Sequence, residues 1–424
     1  MGWAMALIPF TLLALGVPVF LILLVTVIVL LVFFLDVPFT VIPQTMFGSI
    51  DSFALLAVPF FIFAGEVMGQ GGISVRLIRW VQSIFGGVRG SLALTTVGTC
   101  EFFGAISGSS PATLAAVGRI MYPALRANGY EEKFALGLVT SSGAIASIIP
   151  PSILMILYGT AAEQSVAALF IGGVLPGLLI GLLTAVYIVF YARGRPLERV
   201  EPFRWRPFAR ATRQGLWALG APVVILGSIY TGICTPTEAA GIASVYGIVV
   251  TRYIYRDITW ARLWDLAGNS MFLTAQIMII VAASGVFAWL LTISGVPQAT
   301  VAVIEALHLP AWLMLAALNV FLMIVGCLID PTSATLILTP LLVPIVRTMG
   351  VDLVHFGIIL TVNLSIGMFT PPFGLNLFVS QALFKAPMVQ IARGLAPFIV
   401  IQVVALAIIT YVPWLSLSLT RFVH

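Results

Sequence analysis

Apolar residues run along this chain in long stretches that are interrupted by glycine and proline rather than by charge. The stretches cover 5–35, 52–69, 91–125, 134–158, 167–191, 215–250, 268–292, 310–346, 356–384 and 394–418. A helix that crosses a bilayer needs about 20 such residues. Helices are favoured because hydrocarbon offers no partner to loose backbone groups. A transmembrane barrel would show alternating segments of about 10 residues instead, and the pattern has none.

Four stretches do not fit a single span. The first carries Gly16-Val17-Pro18, so it is one kinked helix or two. The stretch 215–250 contains Cys234-Thr235-Pro236 and reads as two helices around a tight turn. The stretches 91–125 and 310–346 are too long for one span and too short for two. Each has a polar, proline-bearing centre, "ISGSSPAT" (Ile106–Thr113) and "LIDPTSAT" (Leu328–Thr335). That pattern predicts re-entrant helical hairpins whose tips are buried in protein or line a water-filled cavity.

The same order recurs in each half: span, glycine loop, hairpin, short loop, span broken at a double proline, final span. Pro150 and Pro371, Gly129 and Gly350, and Pro123 and Pro344 are each 221 positions apart. Gly104 and Gly326, and Gly72 and Gly295, keep nearly the same spacing. The series predicts two repeats. The chain therefore divides into an N-terminal scaffold segment (1–51), repeat 1 (52–191), an Arg-rich loop with scaffold helices (192–266) and repeat 2 (267–424).

Composition and charge sharpen this picture. Hydrophobic residues make up 61% of the 424 positions and charged residues 8%, where a soluble domain has about a quarter charged. The chain is thus an all-α polytopic membrane protein, and its formal charge of +5 does not point to nucleic acid. The apolar N-terminus is too long for a signal h-region, lacks a basic n-region, and reads as a retained span. Lysine and arginine collect in cytoplasmic loops. If hairpins return to their side of entry, loops 70–90, 126–133, 193–213, 252–266 and 385–393 all fall inside. With the end of the first hairpin they hold every basic residue except Arg347 and Arg421. The loop at 70–90 carries Arg76, Arg79 and Arg89, whereas its counterpart at 293–309 has no basic residue. The repeats are therefore expected to be inverted, with the C-terminus outside. Trp205, Phe203 and Phe208 suit a segment at the cytoplasmic interface or a plain solvated loop.

Discontinuous helices in inverted repeats expose carbonyls and helix ends at mid-membrane, where a secondary transporter can hold an ion and a substrate. The first hairpin tip offers Ser107, Gly108, Ser109, Ser110 and Thr113 to the break at Ala146, Ile149 and Pro150. The second offers Gly326, Asp330, Thr332, Ser333 and Thr335 to Gly367, Thr370 and Asn376. Hydroxyls and carbonyls are hard ligands that suit sodium. Proline frees the carbonyl four residues back, so the carbonyls at 146–147 and 367–368 are expected to be open. Asp330 is either a buried functional acid or the cap of the second arm. Glu66, Glu101, Glu163 and Glu238 are placed near span ends. Cys100, Cys234 and Cys327 form no C-x-x-C pair, and His308, His355 and His424 have no metal-ligand spacing. A serine hydrolase is disfavoured because no histidine lies in the spans that carry Ser107–Ser110.

At "SGSSPAT…IIPPS" and "DPTSATLILTPLLVPI…GMFTPPFGLNLF" the sequence closely resembles the large membrane subunit of tripartite ATP-independent periplasmic (TRAP) transporters, the DctM family, over essentially the whole chain. The resemblance implies an elevator-type ion-transporter fold that works by alternating access in the bacterial inner membrane. It implies sodium-coupled symport of an organic acid such as a sialic acid or a C4-dicarboxylate, with two or more sodium ions and no enzymatic step. It implies two partners, a small four-helix membrane subunit, here expected as a separate chain, and a periplasmic substrate-binding protein. By position, one sodium site would use Ser107, Ser110, Ala146, Ile149 and Pro150. A second would use Gly326, Gly367, Thr370 and Met368 or a neighbouring carbonyl. Substrate would contact Ser109, Pro111, Thr113, Asp330, Thr332 and Asn376. A stand-alone sodium/dicarboxylate carrier with the same plan is the nearest alternative.

Overall fold

A computed structural model describes residues 2–35, 37–195, 197, 203–306 and 309–422. Arg199, His308 and His424 lie outside the described residues. The described chain is helical throughout, with no strand among its residues.

The first apolar stretch is two helices, α1 (Gly2–Ala14) and α2 (Val19–Phe34), followed by α3 (Val41–Ile50). Gly16 ends α1 with φ +74°, a left-handed turn that glycine adopts without a Cβ clash, and Pro18 starts α2. The first series of helices follows as α4 (Ala57–Gln70), α5 (Ile73–Ile84), α6 (Ser91–Ser107), α7 (Ser110–Ala127), α8 (Glu132–Ile145), α9 (Ile153–Ala161) and α10 (Val166–Ala192). The linking segment contributes α11 (Trp205–Tyr230) and α12 (Pro236–Ile248). The second series is α13 (Trp260–Ile293), α14 (Val296–Ala306), α15 (Ala311–Leu328), α16 (Pro331–Thr348), α17 (Leu353–Gly367), α18 (Leu375–Phe384), α19 (Met388–Tyr411) and the short α20 (Trp414–Leu417). Among the described residues, five helices are long and apolar enough to cross a membrane: Phe53–Gln70, which includes α4, and α10, α13, α15 and α19.

Two segments read as loops are helical. The glycine segments 70–90 and 293–309 hold α5 and α14, and each begins at a glycine in the left-handed region, Gly72 at φ +63° and Gly295 at φ +67°. In α5 the buried residues Ile73, Leu77, Ile78 and Val81 fall on one face of the helical period, with Arg76 and Arg79 beside them. The Arg-rich loop also ends early. Trp205 to Arg213 form the first turns of α11, where Trp205 and Phe203 pack on Phe208.

Both hairpins and both breaks are present. Tip 1 turns at Gly108 and Ser109, and tip 2 at Ile329 and Asp330. The breaks span 146–152 and 368–374, because proline cannot donate to the helix and biases the residue before it away from helical ψ. The bonds Pro150–Pro151 and Pro371–Pro372 are both cis. The hairpins differ in one respect. The arms α6 and α7 pack on each other, whereas α15 lies mainly on α17 and α16 on α13, α14, α17 and α9.

Contacts cross between the halves in matched pairs: α9 packs on α16, and α18 packs on α7. One main core runs through α4–α12 and α15–α19 and reaches Val281 of α13. Within and beside it, α12 lies on α4, α11 on α5, and α2 and α3 on α13. A second, smaller core joins Leu23, Val27 and Leu30 of α2 to Ala283, Val286 and Leu290 of α13.

The five arginine- and lysine-bearing loops are linked to one another. Arg76 donates to Asp257 at 2.7 Å, Trp80 Nε1 donates to Thr212 Oγ1 at 3.1 Å, and Arg195 pairs with Glu131 at 3.1 Å. Gly394 lies against the Lys133 carbonyl, which brings 385–393 to the same cluster. The base of hairpin 2 makes a separate set of contacts. Tyr411 donates to the Trp312 carbonyl, and Tyr158 to that of Leu353, at 3.0 and 2.7 Å.

Candidate substrate and cation site

The two tips and the two breaks meet around a cavity of about 460 Å³. Tip 1 supplies Ser107 to Ala112 and tip 2 supplies Asp330, Pro331 and Thr332. Break 1 supplies Ser147, Ile153 and Leu154, and break 2 supplies Met368 and Leu375. The far wall comes from Ile62, Gly65 and Glu66 of α4, from Leu273 to Ile280 of α13, and from Pro18 to Phe20. The cavity thus has the tips and breaks on one side and α4, α13 and the start of α2 on the other.

Four helices begin at this cavity: α7 at Ser110, α9 at Ile153, α16 at Pro331 and α18 at Leu375. Each is the helix that resumes after a tip or a break. A helix start carries N–H groups without helical partners and a partial positive charge. Some are taken by Ser152 Oγ at α9, Asp330 Oδ1 at α16 and Met368 O at α18. Among the described hydrogen bonds, the N–H groups of Ser110, Ala112 and Thr332 have no partner and can receive an anion.

The sequence-predicted residues separate into two shells. Ser109, Pro111, Asp330 and Thr332 line the cavity, as do Ser107, Ser110 and Met368. Thr113 and Asn376 do not line it; both are fully buried. Thr113 Oγ1 and Ser107 Oγ lie 2.9 Å apart as a hydrogen-bonded pair. Asn376 Nδ2 donates to Ser110 Oγ at 2.7 Å and so ties break 2 to tip 1. Asp330 fills the capping role, accepting from the Ser333 backbone N–H at 2.9 Å, and also borders the cavity.

The open-carbonyl expectation holds at one of four positions. Ser147 O accepts from Ser152 Oγ, Gly367 O from the Thr370 N–H and Met368 O from the Asn376 N–H. Among the described hydrogen bonds, none reaches the carbonyls of Ala146, Ile149, Pro150 or Gly326. Thr370 Oγ1 donates to Ile366 O at 2.7 Å, which leaves its lone pairs as acceptors. Tip 1 is pressed on break 1, with Gly108 against the Pro151 carbonyl. The donor set is therefore neutral, hard oxygen, which fits sodium. Among the described residues no group of three His, Cys, Asp or Glu side chains could hold a metal.

One acid is not where the sequence places it, and another does more than its place suggests. Glu101 is near the middle of α6, with its carboxylate in the notch left by Gly181 of α10, and is not at a span end. Glu66 borders the cavity beside Gly65, which packs on Ser107. Its signal in the sequence is Gln70 one turn later on the same face of an apolar span; Gln70 Nε2 donates to Glu66 Oε2 at 3.4 Å. Glu163 and Glu238 do sit at helix ends, the latter in the capping box of α12.

Helices broken around a shared cavity, in an otherwise apolar helical body, define a membrane transporter rather than an enzyme. The comparisons with known proteins agree. Residues 6–415 match the family described as "Tripartite ATP-independent periplasmic transporter, DctM component". The chain is 41% identical over 377 residues to the C4-dicarboxylate TRAP transporter large permease protein DctM of Pseudomonas aeruginosa, covering 89% of this chain and 88% of that protein. It is 40% identical over 379 residues to the isethionate TRAP transporter permease protein DctMQ of Oleidesulfovibrio alaskensis, covering 89% of this chain but only 60% of that longer protein. In structure it is similar to the YdaH transporter of Alcanivorax borkumensis, with a TM-score of 0.61 at 16% identity over 87% of each chain. The chain belongs to the DctM family of TRAP transporter membrane components.

Proposed function

We propose that this chain is the large membrane subunit of a tripartite transporter in the inner membrane that imports an organic acid, coupled to sodium. The observation that carries this is the convergence of four helix starts on one cavity between the tips and breaks. A carboxylate placed there meets the N–H groups of Ser110 and Ala112 in α7 and of Thr332 in α16, the hydroxyls of Ser109 and Thr332, and no aqueous competitor once the tips close. The relatives' names, for a C4-dicarboxylate and for isethionate, support a small organic anion as cargo. They also support a small membrane subunit and a periplasmic binding protein as partners.

Ser107 and Ser110 with the carbonyls of Ala146, Ile149 and Pro150 would hold one sodium ion. Gly326, Gly367, Met368 and Thr370 would hold a second. Bound sodium supplies positive charge beside the helix starts. The residues themselves fasten each tip to a break, so that the walls of the substrate cavity are formed only when tip and break are held together.

The repeats are read as inverted. The linked basic loops, set apart from the Tyr158 and Tyr411 contacts at the base of hairpin 2, support hairpins that enter from opposite faces. The cavity, with the tips and breaks on one side and α4 and α13 on the other, supports an elevator in which the tip- and break-bearing helices carry the cavity between faces. Reconstitution tests the whole proposal. Uptake in proteoliposomes should need the binding protein, the small subunit and an inward sodium gradient. Robust uptake without the binding protein would establish a stand-alone carrier instead.

A further inference from the structure

The cavity has an unexpected charge. Among its described lining residues there is no lysine, arginine or histidine, yet two carboxylates, Glu66 and Asp330, face it. Both accept hydrogen bonds that fix them at the cavity wall. Asp330 accepts from the first turn of α16, where the helix dipole favours negative charge. Glu66 accepts from Gln70 Nε2, and the Gln70 carbonyl oxygen in turn receives the guanidinium of Arg262 from both Nε and Nη2. Arg262 thus supports Glu66 through a polarised amide while remaining outside the cavity lining.

With two carboxylates and no basic side chain on the described lining, no side chain offers positive charge to the second carboxylate of a dianion. A carboxylate at the helix starts is well served, but a second carboxylate toward α4 would meet Glu66. A cationic group at that end would form a charge-assisted hydrogen bond there.

We propose that the cargo is a zwitterionic organic acid, with its carboxylate at the helix starts and its ammonium or amidinium group on Glu66. This rests on the reading of the cavity as a carboxylate site. It adds Glu66, on the α4 wall, as the residue that selects the cation-bearing class over dicarboxylates of equal length.

The test is ligand binding to the purified large–small subunit complex in sodium buffer, without the binding protein. The probes are 4-aminobutyrate and succinate, four-carbon acids that differ at one end. Wild type should bind 4-aminobutyrate at least about tenfold more tightly than succinate, as expected when a buried polar group is left unpaired by the wrong ligand. Glu66→Gln should lose that preference and gain affinity for succinate, and Glu66→Asp should restore part of it. The melting temperature of each variant separates misfolding from lost recognition. Equal or tighter succinate binding by wild type, or a preference unchanged in a folded Glu66→Gln, overturns the proposal while leaving the carboxylate site intact. Binding of neither acid to wild type overturns the carboxylate reading itself, and the proposal with it.

Discussion

A Cβ built on Gly367 would stand 2.6 Å from the Cα of Gly326, so the ends of α15 and α17 cross in backbone contact. Gly104 and Ala146 make the corresponding crossing in the first half, with a Cβ on Gly104 2.7 Å from the Ala146 Cα. Both crossings are between a hairpin arm and a broken helix, at the place where the arm hands over to the tip. Backbone has nowhere to yield, so Gly367→Ala and Gly104→Ala should each cost about 1–3 kcal/mol from overpacking. The expected outcome is a lower melting temperature and lost uptake. Gly227→Ala in α11, where a Cβ meets nothing within 4 Å, is the control and should melt no lower than wild type.

The proposed cation ligands are tested by removing oxygen and little else. Ser110→Ala and Thr370→Val each delete one hydroxyl from opposite tip–break pairs. Each should raise the sodium concentration needed for half-maximal uptake by several-fold, read as initial rate against sodium. A sodium dependence unchanged in both variants contradicts the assignment. Ser110→Ala also removes the acceptor of Asn376 Nδ2, so Asn376→Ala should mimic part of its effect.

Tyr158, at the end region of α9, donates to the Leu353 carbonyl at the start of α17 and so joins the two halves. Tyr158→Phe removes that one hydrogen bond from a buried ring. A loss of about 1 kcal/mol is expected, seen as a small drop in melting temperature with uptake retained.

Orientation can be read by labelling. In a background lacking Cys100, Cys234 and Cys327, single cysteines at the exposed positions Arg79, Lys385 and Gln298 report the two faces. A membrane-impermeant maleimide should reach the first two only from the cytoplasmic side and the third only from the periplasmic side. Reaction of all three from one side would contradict inverted repeats.

Much of the fold is legible in the sequence because proline and glycine act on the backbone directly. The double prolines mark both breaks. Asp330-Pro331 marks an arm start, and Gly72, Gly129, Gly295 and Gly350, which the sequence spacing pairs, all adopt positive φ. The short amphipathic helices α5 and α14 are less legible, since their apolar faces are only a few residues long and flank glycine turns. Side-chain direction is the hardest part. Thr113 and Asn376 carry suitable chemistry and sit beside the right motifs, yet turn inward to bond Ser107 and Ser110. Glu66 lies four residues from a helix end and still reaches the cavity, because tip 1 packs level with Gly65. That registration between α4 and a distant hairpin is a tertiary fact with no local signature.

The most direct test of the central claim places a single cysteine at Thr332, on tip 2 where it borders the cavity. The rate of its modification by a maleimide is followed in the reconstituted large–small subunit complex, with 4-aminobutyrate or succinate at millimolar concentration. Protection that appears only when sodium and the acid are both present is predicted, because the tip–break contacts form the cavity that the acid fills. A modification rate indifferent to the acid, or equal protection in sodium-free buffer, would contradict a sodium-organised substrate site between the tips.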